Sequence, residues 1–480
     1  MRYSFRMKTT TTLLFSFFAA LLVAQTKATE IRFEIEGYEE SFMAIANHLL
    51  DNQYIVDTVL RDESGAYIYE REEPMPPGIY LAVMAPNNDY FRFVVTEGEQ
   101  HFSIKNSVDN QVIGAEVEGS PENENFFAYL AYLQEAGMRN QELRGQMEAE
   151  GISLAEKNRL ERELNALDEQ VKAKQEEWLV NAPDSYVAAI IKANKNVEPP
   201  AFEEITDVNE RREAQLLYLQ DHYLDNLDLK DPRLLRTPFL FQRINFYVER
   251  LHVQAPDSIS VAIDRVLERM DPASDAFKYY LIHYLNKAAN SEFVGMDAIY
   301  VHLIDNYYAK GFAPWTEEEQ LESFLDNANR LRPLLIGKIA PDIQMQTREG
   351  NSISLHEVES DYTVLYFWRY DCGHCKESTP FMKEFHETWQ ERGVTLFAVC
   401  AKQADDIGEC WEYVDEKEIG DWLHTVDPYL RSRYAVKYDL QTTPQIYVLD
   451  ANKEIISKRI SAEQLNELME MITAEEEQGR

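Results

Sequence analysis

Short apolar segments alternate with polar turns through the first part of the chain. β-branched and aromatic residues form five runs, at residues 31–35, 54–56, 66–69, 79–83 and 90–95. Turn-forming residues separate these runs, as in Asp62-Glu63-Ser64-Gly65. Several short strands at this spacing are typical of a small antiparallel sandwich. We therefore predict a β-sandwich-like N-terminal domain over residues 30–118.

After Ser120 the apolar spacing becomes helical and stays so to about residue 330. One helix face is marked by a 4-3-4-7 spacing, which joins Leu160, Leu164, Leu167, Val171 and Trp178. Gly151 is expected to separate this helix from the preceding one, giving a helical hairpin. The pattern predicts an all-α middle region over residues 120–330.

The segment from Phe277 to Trp315 is rich in aromatic residues and contains His283 and His302. Neither a cysteine nor an HExxH-like spacing accompanies these two histidines. We therefore interpret the segment as an aromatic core with hydrogen-bonded histidines, and we predict no metal site there.

Strand-like and helix-like segments alternate from residue 337 to residue 474, ahead of a short acidic tail at 475–480. This alternation predicts a C-terminal α/β domain, in which helices cover a sheet. The whole chain is thus expected to be multidomain.

The first 24 residues have the pattern of a secretory signal peptide. Arg2, Arg6 and Lys8 are basic, and the apolar stretch at 13–24 is too short to span a bilayer. We expect an exported protein of the periplasm or cell envelope, with no stable membrane insertion after signal removal. The formal net charge of −37 argues against nucleic acid and anionic lipid as partners.

Cys372-Gly373-His374-Cys375 carries the chemistry that the sequence predicts. It lies between an apolar strand-like run and a helical stretch, an arrangement that turns a thiol into a nucleophile. The helix N-terminus would stabilise a thiolate on Cys372, while Cys375, one turn further in, would attack only intramolecularly. A partly cationic His374 would favour that thiolate and make the disulfide more oxidising. No second cysteine or histidine pair has zinc spacing, so we expect neither a metal nor an organic cofactor.

The other two cysteines, Cys400 and Cys410, lie ten residues apart in the same domain. A second disulfide and a relay pair are both compatible with this spacing. So is a buried, apolar thiol at Cys400.

Three motifs around the cysteines resemble the thioredoxin fold: Phe367-Trp368, Pro380 and Thr443-Pro444-Gln445. The lead-in Ala340-Pro341-Asp342 and the hairpin after it resemble the TlpA/ResA-type branch, exported thiol–disulfide oxidoreductases of the bacterial envelope. Residues 30–330 resemble uncharacterised N-terminal extensions of some envelope relatives, which imply no activity.

The resemblance implies a role for each matching position. Cys372 attacks the client disulfide, Cys375 resolves the mixed disulfide, and Pro444 is the cis-proline that faces them. Thr443, Pro444 and Trp368 are the implied client contacts. The Gly373-His374 pair, implied to tune the redox potential, also occurs in the protein disulfide isomerase family, so isomerase and oxidase chemistry stay open beside reductase chemistry.

Three positions depart from the resembled pattern. Tyr366 stands where thioredoxins carry a buried acid, and Ser378 stands where many TlpA/ResA-type proteins carry Glu, so the proton-shuttling group is open. Asp371 precedes the first cysteine, and its charge should oppose thiolate formation unless Arg369 or His374 offsets it.

The sequence therefore predicts an exported thiol–disulfide oxidoreductase. The implied partners are disulfide-containing or dithiol client proteins and a membrane electron donor or acceptor, with cytochrome maturation as one candidate pathway. The alternative is an envelope binding protein whose redox domain is regulatory or structural, because exchange chemistry does not require residues 30–330.

Overall fold

The computed structural model describes residues 27–149 and 151–479. They form two compact units: one contains the described residues up to 174 apart from 48–53, and the other contains 48–53 and the residues from 175 onward. The predicted signal peptide, residues 1–24, lies outside the described residues. Within the described ranges, no helix combines the length and apolarity that a bilayer crossing needs.

Eight strands build two four-stranded sheets, ordered β4-β1-β7-β8 and β3-β2-β5-β6. Their bounds are β1 Thr29–Glu36, β2 Phe42–Leu49, β3 Asn52–Leu60, β4 Tyr67–Arg71, β5 Gly78–Met84, β6 Asp89–Val95, β7 His101–Ser107 and β8 Glu116–Glu118. Alternate residues of β1 point into one core shared by both sheets, where the Phe33 and Phe93 rings meet at 5.2 Å. The strand-rich prediction is confirmed.

One strand pair departs from the predicted antiparallel pattern. β1 and β7 run parallel, from Glu30 beside His101 to Glu36 beside Ser107. Parallel neighbours need a long connection, and the five strands between β1 and β7 provide it. Apolar alternation specifies which face of a strand is buried but not which strand it pairs with, so the sequence pattern did not predict this pair.

Nine helices follow along the described chain. Their bounds are α1 Pro121–Met147, α2 Leu154–Asn181, α3 Tyr186–Asn194, α4 Val208–His222, α5 Leu240–Arg250, α6 Pro256–Leu267, α7 Asp275–Ala289, α8 Asp297–Leu303 and α9 Glu318–Leu331. The helical prediction for the middle region is confirmed, and Gly151 lies between α1 and α2 at φ +80°.

The division between the compact units falls inside α2, at residue 174. The reason lies in the first turn of α1. The Asn123 amide accepts a hydrogen bond from the Val94 N–H at 2.8 Å and donates one to the Val94 carbonyl at 2.7 Å. Phe127 joins the core between the sheets. Helical periodicity does not reveal which core a helix packs against.

The C-terminal domain contains a five-stranded sheet in the order β13-β12-β11-β14-β15. Its elements are β9 Gln344–Gln346, β10 Ser352–Ser354, β11 Tyr362–Trp368, α10 Gly373–Trp389, β12 Val394–Cys400, α11 Ile407–Lys417, β13 Leu423–Thr425, α12 Tyr434–Lys437, β14 Gln445–Leu449, β15 Ile455–Lys458 and α13 Leu465–Gly479. α13 thus continues into the predicted acidic tail. Strands β11, β12 and β13 are parallel, and β14 and β15 are antiparallel to their neighbours.

β11 is central because both of its faces are apolar. Val364, Tyr366 and Trp368 enter one core, and Leu365 and Phe367 enter the other. A strand buried on both faces is expected in the middle of an α/β sheet. The chain passes from Trp368, the last residue of β11, to the N-terminus of α10 at Gly373.

An ion pair joins α8 to the C-terminal domain. The Lys458 ammonium, 3% exposed, donates to the Asp297 carboxylate at 2.5 Å and to the Leu334 carbonyl at 2.6 Å. A buried charge needs partners of this kind. The helices after residue 175 and the redox domain consequently form one unit in which this lysine bridges both parts.

Candidate redox site

Cys372 is the N-cap residue of α10. Its backbone is extended, and its sulfur accepts a hydrogen bond from the Cys375 N–H at 3.3 Å. An N-cap side chain of this kind satisfies one of the free N–H groups at the helix end, where the helix dipole favours negative charge. The site therefore places this sulfur where a thiolate is stabilised.

Thr443 and Pro444 lie against Cys372 because of the sheet topology. β14 runs antiparallel to β11, so its first residue, Gln445, pairs with Phe367 near the end of β11. The peptide bond between Thr443 and Pro444 is cis. The Cys372 thiol donates a hydrogen bond to the Thr443 carbonyl at 3.2 Å. The structure thus brings together the three positions that the motifs singled out.

The two thiols differ in burial and in acidity. Cys372 is partly exposed and Cys375 is buried, with 1% of its surface accessible. Burial raises the pKa of Cys372, but hydrogen bonds from Cys375, Thr443 and His374 outweigh it, so the net shift is downward. Burial, and then the hydrogen bond with Cys372, raises the pKa of Cys375 to about 12. Only Cys372 is therefore suited to attack from solution.

Asp371 is held by two cations beside the cysteines. The Arg369 guanidinium donates to its carboxylate at 3.0 and 2.9 Å, and the Lys402 ammonium donates at 2.8 Å. Hydrogen bonds from Arg369 and then Lys402 lower the pKa of Asp371 to about 2. The carboxylate therefore stays charged, and two cations pair with it.

The sequence suggested Arg369 or His374 as the compensating group, and the structure selects Arg369. His374 has 86% of its side chain exposed and faces Glu377 at 3.3 Å. Lys402 was missed because it lies just after β12, far from the motif in sequence. The parallel pairing of β11 and β12 brings the residues that follow them to one sheet edge.

Trp368 lies beneath the cysteines, where it is 2% exposed. Its ring packs 5.5 Å from that of Tyr413, and the Tyr413 hydroxyl lies 2.9 Å from Thr379 Oγ1 in the first part of α10. Thr379 in turn donates to the Cys375 carbonyl at 2.8 Å. The structure therefore places Trp368 as support for the start of α10 and gives it little surface for a client.

Cys400 and Cys410 form a disulfide, which resolves the alternatives left by their spacing. Both are buried, at 2% and 0% exposure. The bond ties the end of β12 to α11, the helix that carries Tyr413. Cys372 and Cys375 are free thiols. Among the described residues, no group of three or more His, Cys, Asp or Glu could hold a metal ion.

Comparison with known proteins divides the chain in three. Residues 336–458 match the AhpC/TSA family, whereas residues 155–330 and 30–126 match two domains of unknown function, DUF5106 and DUF4369. The C-terminal domain is therefore similar to the AhpC/TSA family. The resemblance to TlpA/ResA-type proteins is thus confirmed for this domain, and the two N-terminal regions are uncharacterised extensions.

Curated relatives include thiol-disulfide oxidoreductases named ResA. The one from Bacillus thuringiensis is 33% identical over 70 residues, which are 15% of this chain and 40% of the relative. The one from Halalkalibacterium halodurans is 25% identical over 150 residues, 29% of this chain and 78% of the relative. The chain thus spans about two fifths of the length of the first curated relative.

Two solved structures cover this chain to different extents. A domain of a possible thiol-disulfide isomerase from Cytophaga hutchinsonii is 34% identical, with 30% of this chain and 98% of that chain covered and a TM-score of 0.29. A thioredoxin-like protein from Bacteroides caccae is 18% identical, with 58% and 99% covered and a TM-score of 0.42.

Proposed function

We propose that this protein is a thiol–disulfide oxidoreductase that exchanges disulfides with client proteins through Cys372 and Cys375. The observation that carries the proposal is the asymmetry of the two thiols. Cys372 is partly exposed at a helix N-terminus with a lowered pKa, and Cys375 is buried with a raised pKa. Such a pair has one external nucleophile and one internal nucleophile.

In the reducing direction, the Cys372 thiolate attacks one sulfur of the client disulfide. A Cys372–client bond forms, and the other client sulfur leaves as a thiolate. The Cys375 sulfur, after losing its proton, then attacks Cys372 Sγ and releases the second client thiolate. The client gains two electrons and two protons, and Cys372 and Cys375 end as a disulfide. The oxidising direction is the reverse.

The backbone at Thr443 is suited to hold the client during this exchange. Its carbonyl already accepts the Cys372 thiol proton at 3.2 Å, so it lies at the reacting sulfur. An extended client segment can pair with exposed backbone of this kind, as peptides do at sheet edges. Thr443 and Pro444 are therefore the proposed client contacts.

The compartment and the partners follow from the same proposal. The predicted signal at residues 1–24 supports export to the periplasm or cell envelope, and the similarity to thiol-disulfide oxidoreductases named ResA supports thiol redox chemistry there. A membrane electron donor or acceptor would regenerate the pair. Maturation of envelope proteins, including cytochromes, is the pathway that the resemblance implies.

The reduction potential of the Cys372–Cys375 pair reports the direction of electron flow. A value near that of thioredoxin, about −270 mV, assigns a reductase, and one near that of DsbA, about −120 mV, assigns an oxidase. Equilibration with glutathione or dithiothreitol buffers, followed by thiol alkylation, measures it.

Reduction of insulin disulfides by the full chain tests the activity. We expect turnover with dithiothreitol as the electron source, and none above background for Cys372→Ser. Cys375→Ser should instead trap a mixed disulfide that gel electrophoresis detects without reductant. A rate for the unmodified chain equal to that of Cys372→Ser would favour an envelope binding protein with a structural redox domain.

A further inference from the structure

The resolution step requires a proton to leave a buried thiol. Cys375 is 1% exposed, and burial is the main cause that raises the pKa of its thiol to about 12. The polar groups nearest in the chain are committed elsewhere. Ser378 donates to the His374 carbonyl at 2.8 Å, and Thr379 donates to the Cys375 carbonyl at 2.8 Å. Hydrogen bonds with the Arg369 backbone and with Thr443 lower the pKa of the Cys375 thiol, but burial outweighs them. A further hydrogen-bond donor at this sulfur would therefore favour its thiolate.

Tyr366 lies on the sheet face that α10 covers. Side chains along β11 alternate, so Tyr366 shares its face with Trp368 and enters the same core as Cys375. It is 1% exposed, and its hydroxyl is buried without a hydrogen-bond partner among the described residues. An unpaired buried hydroxyl is costly, and such groups in native proteins call for an explanation.

The charges of the two cysteines act on this hydroxyl. Burial raises the pKa of Tyr366 well above its ordinary value, and thiolates at Cys375 and Cys372 raise it further, together with Tyr413. The phenol consequently keeps its proton at neutral pH. It can donate a hydrogen bond to a neighbouring anion but cannot carry a negative charge itself.

The other titratable groups of this core have partners of their own or are kept neutral by burial. Because Thr379 donates its proton to the Cys375 carbonyl, the Tyr413 hydroxyl must donate to Thr379, 2.9 Å away. His424 packs on the Trp368 and Trp422 rings, at 5.9 and 5.3 Å, and its Nε2 bonds the Ile419 carbonyl at 2.7 Å. Its Nδ1 has no partner among the described residues, but burial lowers the pKa of His424 to about 4, so the ring is neutral at neutral pH.

The remaining described neighbours of Tyr366 supply no further hydroxyl proton. On α10, His386 faces Asp421 at 3.3 Å, at the far side of Trp422. The strand neighbours of Tyr366 are Ala398 on β12 and Ile446 on β14, which do not titrate. The Tyr366 O–H is thus an uncommitted hydroxyl donor on this face of β11.

We infer that Tyr366 is a positioning residue for resolution, and that its hydroxyl donates a hydrogen bond to the Cys375 sulfur as that sulfur becomes a thiolate. The inference rests on the proposed function. The Cys375 proton passes through solvent to the departing client thiolate, the Cys375–Cys372 bond forms, and the Cys372–client bond breaks. Tyr366 keeps its own proton throughout. Hydrogen bonds to charged acceptors are stronger than those to neutral ones, which favours the thiolate over the thiol.

Rapid mixing of the reduced full chain with 5,5′-dithiobis(2-nitrobenzoate) separates the two chemical steps. Attack by Cys372 releases the first thionitrobenzoate anion, and resolution by Cys375 releases the second. In Tyr366→Phe we expect the second release to slow by roughly tenfold or more at fixed pH. Because this step depends on the Cys375 thiolate, its rise in rate with pH should be displaced by about one unit to higher pH, while the first release keeps its rate.

Tyr447→Phe is the matched control. Tyr447 is a buried tyrosine on β14 that enters the opposite core, and its hydroxyl bonds Gln445 at 2.7 Å and the Tyr438 carbonyl at 3.2 Å. Loss of the Tyr447 hydroxyl should lower the stability of the domain without changing the rate of the second release. Tyr366→Met removes the Tyr366 hydroxyl with a different side chain and should slow the second release as Tyr366→Phe does. Melting curves of each variant accompany the kinetics.

An unchanged rate and pH dependence of the second release in folded Tyr366→Phe or Tyr366→Met overturns the inference. Equal slowing of both releases also overturns it, because that result assigns Tyr366 a purely structural role. Failure of the proposed function looks different: the first release in the unmodified chain would then be no faster than that of an ordinary free cysteine.

Discussion

Removal of the Cys400–Cys410 disulfide should destabilise the redox domain without stopping its chemistry. Cys400 ends β12 directly opposite Trp368, and Cys410 lies one turn before Tyr413, which packs on that tryptophan. The bond therefore fixes the helix that backs the catalytic pair. The perturbation is the double substitution Cys400→Ala and Cys410→Ala.

The loop length sets the magnitude. The two cysteines are separated by 10 residues. Closing a loop of this size removes chain entropy from the unfolded state worth roughly 3 kcal/mol at 25 °C. With a urea dependence of about 1–3 kcal/mol per molar for a domain, the unfolding midpoint should fall by roughly 1–3 M.

Urea unfolding followed by tryptophan fluorescence measures this loss. The redox domain holds four of the six tryptophans, Trp368, Trp389, Trp411 and Trp422, so the signal reports mainly on it. Each single alanine variant opens the same bond and should lose nearly as much stability as the double variant. An unchanged urea midpoint in the double variant would refute the reasoning. So would stability losses in the two single variants that sum to the loss in the double variant. Loss of the first thionitrobenzoate release in the double variant would assign the pair a relay role instead.

Two further predictions concern charge. Asp371→Asn removes the carboxylate beside Cys372 but leaves Arg369 and Lys402, so the pKa of Cys372 should fall. The pH dependence of iodoacetamide alkylation measures this pKa, and a rise would contradict the prediction. Burial lowers the pKa of His424 from 6.5 to about 4. The unfolded chain therefore binds this proton more tightly than the folded chain. The neutral His424 contributes up to about 3 kcal/mol of stability; this contribution is fully present above about pH 6.5 and is lost as the pH falls towards 4. In His424→Phe the urea midpoint of unfolding should depend less on pH between about 4 and 6.5. An unchanged pH dependence would contradict this role of His424.

The parts of the site that local sequence encodes could be predicted. Cys372 and Cys375 are three residues apart at a strand-to-helix junction, so helix geometry alone places one at the tip and one a turn inside. Thr443-Pro444 precedes an apolar strand, and the thioredoxin resemblance supplied its position against the cysteines. The fold class followed from periodicity, because apolar positions repeat differently in strands and helices.

The contacts that depend on strand order could not be predicted. Lys402 reaches Asp371 because β11 and β12 are parallel neighbours, and β1 pairs with β7 across five intervening strands. Neither pairing leaves a local signal in the residues. The Cys400–Cys410 bond is a similar case, because a ten-residue spacing is compatible with several arrangements until the helix direction of α11 is known.

The most direct measurement of the central claim is a thiolate titration of Cys372. Ultraviolet absorbance of the reduced chain against pH, with Cys372→Ser as reference, resolves the two thiols. We predict that Cys372 ionises below the ordinary cysteine value of 9.0 and that Cys375 ionises only near 12. Ionisation of Cys372 at or above the ordinary value, or of Cys375 first, would contradict the account.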